Sequence, residues 1–231
     1  MKAVITGASK GIGRAIAEVF FQNGFDLAIC SRTIADLEAF KKELQPKNPK
    51  QEIIIKAVDV SKKAEVKAFA TAVNTAWGQV DVLINNAGVF MPCSLADDKH
   101  EEAFEKMMNT NLYSAYYVTQ VLLPKMIERQ SGDIINICSI ASFMPYGAYA
   151  VSKHAMLGYS RALRDELKDK GIRVVAVMPG ATLTASWEGT EVPAERFMTP
   201  EDIANSVWSI YQLSKHTVVE EIILRPQLGD I

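Results

Sequence analysis

Short runs of apolar, often β-branched residues recur along this chain, each followed by a longer segment with helical spacing. That alternation restricts the fold more than any other feature. The runs are Lys2–Thr6, Phe25–Ser31, Ile53–Val58, Val80–Ile84, Asp133–Cys138, Arg173–Met178 and Val218–Leu224. Several are apolar almost without a break, as strands are when both faces of their sheet are covered. The clearest helical pattern runs from about Tyr149 to Lys170. Ala155, Met156, Tyr159, Leu163 and Leu167 form its stripe, Arg161, Arg164, Asp165, Lys168 and Asp169 lie off it, and Gly171 closes it. Thr199-Pro200-Glu201-Asp202 opens another helix, with proline at the first helical position. Strand–helix alternation builds parallel βαβ units. The expectation is one α/β domain over residues 1–231: a doubly wound parallel sheet of about seven strands with helices on both faces. Pro46-Lys47-Asn48-Pro49 reads as a helix-to-strand loop within it, not a linker.

The first strand runs directly into Thr6-Gly7-Ala8-Ser9-Lys10-Gly11-Ile12-Gly13, and a helical pattern from Arg14 to Asn23 follows. Glycines at a strand–helix junction let the backbone turn sharply and let a pyrophosphate approach the helix N-terminus. The spacing G-x-x-x-G-x-G differs from G-x-G-x-x-G, but its place on the first junction makes a Rossmann-type nucleotide site the expectation. The second strand ends Cys30-Ser31-Arg32. A site for NAD usually places an acid there for the ribose 2′-hydroxyl. Arg32 can instead pair with a 2′-phosphate, and Lys10 in the glycine loop can approach the same group. The cofactor expected is NADP(H).

Composition narrows the partners. The 231 residues are 48% hydrophobic and 23% charged, with a formal net charge of −2, and no basic stripe points to nucleic acid or an acidic membrane. No apolar stretch is long enough to span a bilayer, and the start of the chain lacks the pattern of a signal peptide. Cys30, Cys93 and Cys138 are widely spaced among apolar residues, which suits reduced thiols in a cytoplasmic protein. His100, His154 and His216 lack metal-ligand spacing, so no metal is expected.

Read together, these motifs resemble the short-chain dehydrogenase/reductase family in its compact branch, over essentially the whole chain. Thr6-Gly7-x-x-x-Gly11-x-Gly13 is similar to the family's cofactor loop, and Asp59-Val60 to its pair beside the adenine. Asn85-Asn86-Ala87-Gly88 is similar to its fourth-strand motif, and Pro179-Gly180 with Thr184 to its segment beside the nicotinamide. The resemblance implies cofactor contacts from Gly7, Ser9, Lys10, Gly11, Ile12, Gly13, Ser31, Arg32, Asp59, Val60, Asn85, Ala87, Gly88, Lys153, Pro179, Gly180 and Thr184. It implies a catalytic set of Asn111, Ser139, Tyr149 and Lys153, with Tyr149-Ala150-Val151-Ser152-Lys153 as the Y-x-x-x-K pair. Ser139 stands about three residues closer to Tyr149 than is usual in the family, so the loop Ile140–Ala148 is short. Ser142 is the alternative serine. A homodimer or homotetramer is also implied, with the Tyr149 helix at an interface.

The chemistry fits those residue types. Reducing a carbonyl takes a hydride, which the cofactor carries, and a proton. A free tyrosine titrates near ~10, and an adjacent ammonium favours the phenolate. Positions i and i+4 share a helix face, which sets Lys153 beside Tyr149. By resemblance Lys153 also holds the nicotinamide ribose, Ser139 bonds the substrate oxygen, and Asn111 supports a water-linked proton path to Lys153. A second copy of the motif, Tyr211-Gln212-Leu213-Ser214-Lys215, ends the last helix with no serine-bearing strand end before it, and reads as a surface terminus. Tyr113, Tyr116 and Tyr117 read as packing residues.

The function expected is NADPH-dependent interconversion of a ketone or aldehyde and its alcohol. A β-ketoacyl-thioester reductase is the rival within the class, and a non-catalytic NADP(H)-sensing regulator the rival outside it. Only Ala185 to Met198 separates Thr184 from the Thr199 cap, which is short for a substrate lid. Two short walls imply an open pocket for a small or flat, partly apolar carbonyl compound, with Trp187 as either lid contact or anchor.

Overall fold

The computed structural model describes residues 1–96 and 100–231. All seven expected strands form: β1 (Lys2–Thr6), β2 (Asp26–Ser31), β3 (Ile53–Ala57), β4 (Val82–Asn85), β5 (Gly132–Ile137), β6 (Ile172–Pro179) and β7 (Glu221–Leu224). They make one sheet in the order β3-β2-β1-β4-β5-β6-β7, and every neighbouring pair is parallel. The helices are α1 (Gly11–Gln22), α2 (Ile34–Leu44), α3 (Lys63–Trp77), α4 (Glu101–Met108), α5 (Ser114–Arg129), α6 (Gly147–Leu167) and α7 (Pro200–Tyr211). The α7 start is a full capping box: the Thr199 hydroxyl accepts from the Asp202 amide, and the Asp202 carboxylate accepts from the Thr199 amide.

The unbroken apolar strands have their explanation in the two cores. Ala3 and Ile5 of β1, Leu27 and Ile29 of β2, and Val82 and Ile84 of β4 face one layer, with Phe20, Phe21, Ile203 and Val207 of α1 and α7. Val4, Ala28, Cys30 and Leu83, the residues between them, face the other layer, with Phe69, Val73, Val118, Leu122 and Leu163 of α3, α5 and α6. Period-two alternation thus puts an apolar side chain on both faces at once. The buried face of α6 is wider than its apolar stripe. It includes Ser152, Lys153 and Ser160, polar groups that all have hydrogen-bond partners.

The two ends of the sheet differ. At the strand N-termini, Arg173 on β6 bonds Asp133 on β5 (Nε to Oδ1, 2.6 Å) and donates to the carbonyls of Tyr211 (2.9 Å) and Leu213 (2.9 Å), closing the end of α7. Burial pushes the Asp133 carboxyl up from its ordinary range, while Arg173 acts in the opposite sense. Tyr211 packs here with Phe20, Phe25 and Trp208, and Lys215 reaches Ser131. The second Y-x-x-x-K copy therefore sits at the end of the sheet away from the strand C-termini. Among the described residues no helix is long and apolar enough to cross a membrane. Arg173→Ala leaves a buried carboxylate unpaired and three chain segments unfastened. Urea unfolding should show a loss of about 3 kcal/mol or more, with Asp133→Asn/Arg173→Ala recovering part of it.

Candidate functional site

A cleft of about 680 Å³ lies along the C-terminal ends of the strands, where ligands of open parallel sheets bind. Its glycine-loop end is set by contacts between β1 and β4. The Thr6 hydroxyl accepts from the amides of Asn86 and Ala87, both at 3.1 Å. The Asn86 side-chain amide donates to the carbonyls of Thr6 (2.9 Å) and Gly7 (3.0 Å). Gly7 and Gly11 hold positive φ, +68° and +58°, a region costly for any side chain. A methyl group on Gly13 would come within 2.3 Å of Asn86 Nδ2 and 2.5 Å of the Gly7 carbonyl oxygen. Gly11, Ile12 and Gly13 of the first turn of α1 line the cleft, and the free amides of a helix N-terminus fit a pyrophosphate.

At the end of β2, Ser31 is buried and Arg32 is exposed, and both line the cleft. Asp59 and Val60 line it beyond β3. Asp59 is held below its ordinary range, first by the Ser61 hydroxyl at 2.7 Å, then by the Ser61 amide, Lys62 and Arg32. An exposed cation with no acid at the strand tip suits a 2′-phosphate better than a 2′-hydroxyl.

Further along stand Ser139, Tyr149 and Lys153. Ser139 follows β5 and caps a single 3-10 turn, Ile140–Ser142, by accepting from the Ala141 amide at 3.1 Å. Its hydroxyl proton stays free to donate into the cleft. Ser142 is buried and donates to the Lys153 carbonyl at 2.9 Å, so of the two serines it is Ser139 that faces the cleft. Lys153 is 4% exposed. Its ammonium donates to the Ile137 carbonyl at 3.0 Å and lies 5.8 Å from the centre of the Tyr149 ring. Gly88 passes beside this group: a Cβ there would lie 3.6 Å from Lys153 Nζ. The floor is Pro179-Gly180, with the Gly180 amide bonded to the Leu224 carbonyl at 2.7 Å. Thr184 packs against Gly11, where a Cβ would lie 3.1 Å from the Thr184 methyl group, and Trp187 lines the cleft while packing edge-on against Phe197 at 5.0 Å. Trp187 is therefore placed to serve as anchor and as wall together.

Two expected site residues lie off the cleft wall. Asn85 is buried and donates to Asn136 (2.9 Å) on the neighbouring strand; its neighbour Asn86 lines the cleft instead. Asn111 lies behind the wall, in a π-helical turn, Asn109–Tyr113, between α4 and α5. Its side chain accepts from the Val89 amide (2.7 Å) and donates to the Val89 carbonyl and the Ser152 hydroxyl, both at 2.9 Å. Ser152 passes the connection to the Tyr149 carbonyl at 2.7 Å. Asn111 thus ties the β4 exit to α6. The other expected residues all line the cleft, joined by Phe90, Lys106, Thr110, Tyr146, Asp230 and Ile231, which no motif marks. Burial pushes the Cys30 thiol up to about 12 and Cys138 to about 11, so both remain protonated at neutral pH. No three His, Cys, Asp or Glu side chains among the described residues converge as metal ligands.

The sheet order and the phosphate-ready glycine loop define a dinucleotide-binding protein, and comparison with known proteins carries this further. The family model of short chain dehydrogenases matches residues 1–192, and the chain belongs to that family of oxidoreductases. It is 38% identical to the sepiapterin reductase of Chlorobaculum tepidum, covering 99% of this chain and 97% of the relative. It is 31% identical to an NADP-dependent 3-hydroxy acid dehydrogenase of Salmonella typhi, covering 98% and 95%. Among solved structures, an alcohol dehydrogenase from Thermococcus sibiricus complexed with 5-hydroxy-NADP superposes with a TM-score of 0.90 at 31% identity, covering 100% and 98%. The L-sorbose reductase of Gluconobacter frateurii, complexed with NADPH and L-sorbose, superposes at 0.88 with 27% identity, covering 97% and 95%.

Gly13→Ala should disrupt both Asn86 bonds and the turn they hold. Titration of the folded variant with NADPH should show at least a tenfold weaker complex, together with a lower Tm.

Proposed function

We propose that this protein reduces a small ketone or aldehyde with NADPH, Tyr149 donating the proton. The observation that carries the reading is the convergence of Ser139, Tyr149 and Lys153 on one cleft, together with a glycine loop that contains Lys10 and with Arg32 at the end of β2. Bound there, NADPH supplies the hydride. The glycine loop and the α1 N-terminus hold the pyrophosphate, Arg32 and Lys10 take the 2′-phosphate, Asp59 and Val60 flank the adenine, and Thr184 closes over the loop.

Ser139 donates a hydrogen bond to the substrate carbonyl, drawing charge toward oxygen before the proton arrives. Tyr149 delivers that proton. Lys153 uses one of its three donors on the Ile137 carbonyl, which leaves two for the cofactor ribose and the phenol. Asn111 and Ser152 keep α6 at a set distance from the β4 exit. Running backward, Tyr149 accepts the alcohol proton, so one geometry serves both directions.

Three outcomes test the reading. NADPH should bind more tightly than NADH, and Arg32→Asp should shrink or reverse the difference in competitive titration; equal affinity in the unmodified protein would refute the NADP(H) assignment. Tyr149→Phe should lower kcat by about a thousandfold or more with NADPH affinity nearly unchanged, whereas Tyr211→Phe should leave kcat within about twofold. The third outcome concerns assembly. Tyr113 and Tyr116 are 42% and 41% exposed, and α6 presents the exposed Val151 on a solvent-facing side. We expect a homodimer or homotetramer built on that face, and light scattering at micromolar concentration should report at least two chains per particle.

A further inference from the structure

We infer that Asn136 and Ser160 are positioning residues for the proton transfer: their buried hydrogen bond sets the rotation of α6 and so holds Tyr149 in line with Ser139. This rests on the carbonyl-reductase reading above.

The first observation is a run of polar side chains inside an apolar layer. Asn85 and Asn136 are register partners on β4 and β5. Their side chains share the sheet face of Leu83 and Ile134, which belong to the core under α5 and α6. Asn85, Asn136 and Ser160 are all buried. The Asn85 side-chain amide donates to Asn136 Oδ1 at 2.9 Å, the Asn136 amide donates to Ser160 Oγ at 2.8 Å, and the Ser160 hydroxyl donates to the Met156 carbonyl at 2.8 Å. Every donor points the same way, from β4 through β5 into α6. A layer that needed only packing would hold apolar side chains here, since an unmet bond of a buried amide is costly. These bonds admit one setting of helix on strand, because a hydrogen bond tolerates little displacement where an apolar contact slides.

The second observation is the place of Ser160 on α6. Eleven residues separate it from Tyr149, about three turns, which returns the helix to within about 20° of the same face. Whatever turns Ser160 about the helix axis therefore turns Tyr149 the same way. A rotation of about 10° carries a side-chain atom about 6 Å from the axis through about 1 Å, and a misplacement of that size can cost about a hundredfold in rate. The other bonds between α6 and the β5 exit leave this angle loose. The Lys153 ammonium reaches the Ile137 carbonyl on a four-carbon stem that can follow a turning helix. Ser142 meets the Lys153 carbonyl from a single 3-10 turn outside the sheet. Ser160 carries its oxygen one bond from Cβ, and its partner Asn136 sits on a strand paired on both sides. Ser139 leaves that same strand three residues later. One bond thus sets the helix of the proton donor against the strand that presents the polarising serine.

The test follows NADPH consumption with 2,3-butanedione, benzaldehyde and ethyl acetoacetate as carbonyl probes. Ser160→Ala should lower kcat by about tenfold or more, with KM and NADPH affinity within about twofold. Ser160→Thr keeps the hydroxyl and should return kcat to within about threefold of the unmodified protein. Leu167→Ala truncates a buried residue further along α6; it should lower Tm at least as much as Ser160→Ala yet leave kcat within about twofold. Asn136→Ala breaks the same bond from the strand side. It gives the same reading where Ser160→Ala does not fold, and in the double variant the two losses should not add. Melting curves and NADPH titration identify the folded variants. Unchanged kcat in Ser160→Ala or Asn136→Ala, a Ser160→Thr as slow as Ser160→Ala, or a Leu167→Ala equally slow would overturn the inference. Tight NADPH binding by the unmodified protein with consumption on none of the three probes would instead overturn the reductase reading beneath it.

Discussion

The bonds between Thr6 and Asn86 hold together everything that acts in this cleft. β1 and β4 are neighbours in the sheet, and their chains diverge at the strand ends, β1 into α1 and β4 toward the substrate side. The Thr6 hydroxyl and the Asn86 amide close that gap with four hydrogen bonds. The Gly7 turn and the hydrogen at Gly13 are consequences, since a larger group at either position meets Asn86 or the residue after it. The glycines therefore serve the β1–β4 closure as much as the ligand. From the same junction the chain continues through Gly88 beside Lys153 and Val89 on Asn111, so the nucleotide end and the chemical end share one framework.

Much of this was legible in the residues. Seven strands could be placed because a parallel sheet covered on both faces needs uninterrupted apolar runs, and the structure shows Val4 and Ile5, or Ala28 and Ile29, turned to opposite cores. Boundaries moved by one to three residues where loops continue the extended backbone, as at Val218, which precedes the β7 pairing. The choice between the two Y-x-x-x-K copies could be argued from the serine after β5. The structure adds that Tyr211 belongs to an aromatic cluster at the opposite end of the sheet.

What could not be read depends on tertiary contact. A motif of two adjacent asparagines does not say which one turns toward the glycine loop; strand pairing decides it, sending Asn85 to Asn136 and leaving Asn86 for Thr6 and Gly7. The π-helical turn at Asn111 has no local signature, because the two bonds to Val89 and the one to Ser152 come from elsewhere in the chain. Tyr113 and Tyr116 have the spacing of packing residues and do pack, both on Tyr117 and Tyr116 also on Tyr159, yet they stay 42% and 41% exposed, which the spacing does not show. Phe90, Tyr146 and Asp230 enter the cleft from three separate segments, and only folding brings them together.

All seven strands run the same way, so the loops that build the cleft leave from the same edge, while a separate set of contacts fastens the other. The Arg173 clamp and the aromatic cluster lie beyond the reach of any change in the loops after β4, β5 and β6. A residue inserted or deleted there leaves the pairing register intact. The segment between Ser139 and Tyr149 is one such loop, and across it the Ser142 hydroxyl donates to the Lys153 carbonyl at 2.9 Å. Framework and loops are in that sense separately evolvable, the first held by strand ends and the buried Lys153, the second free to change length around them.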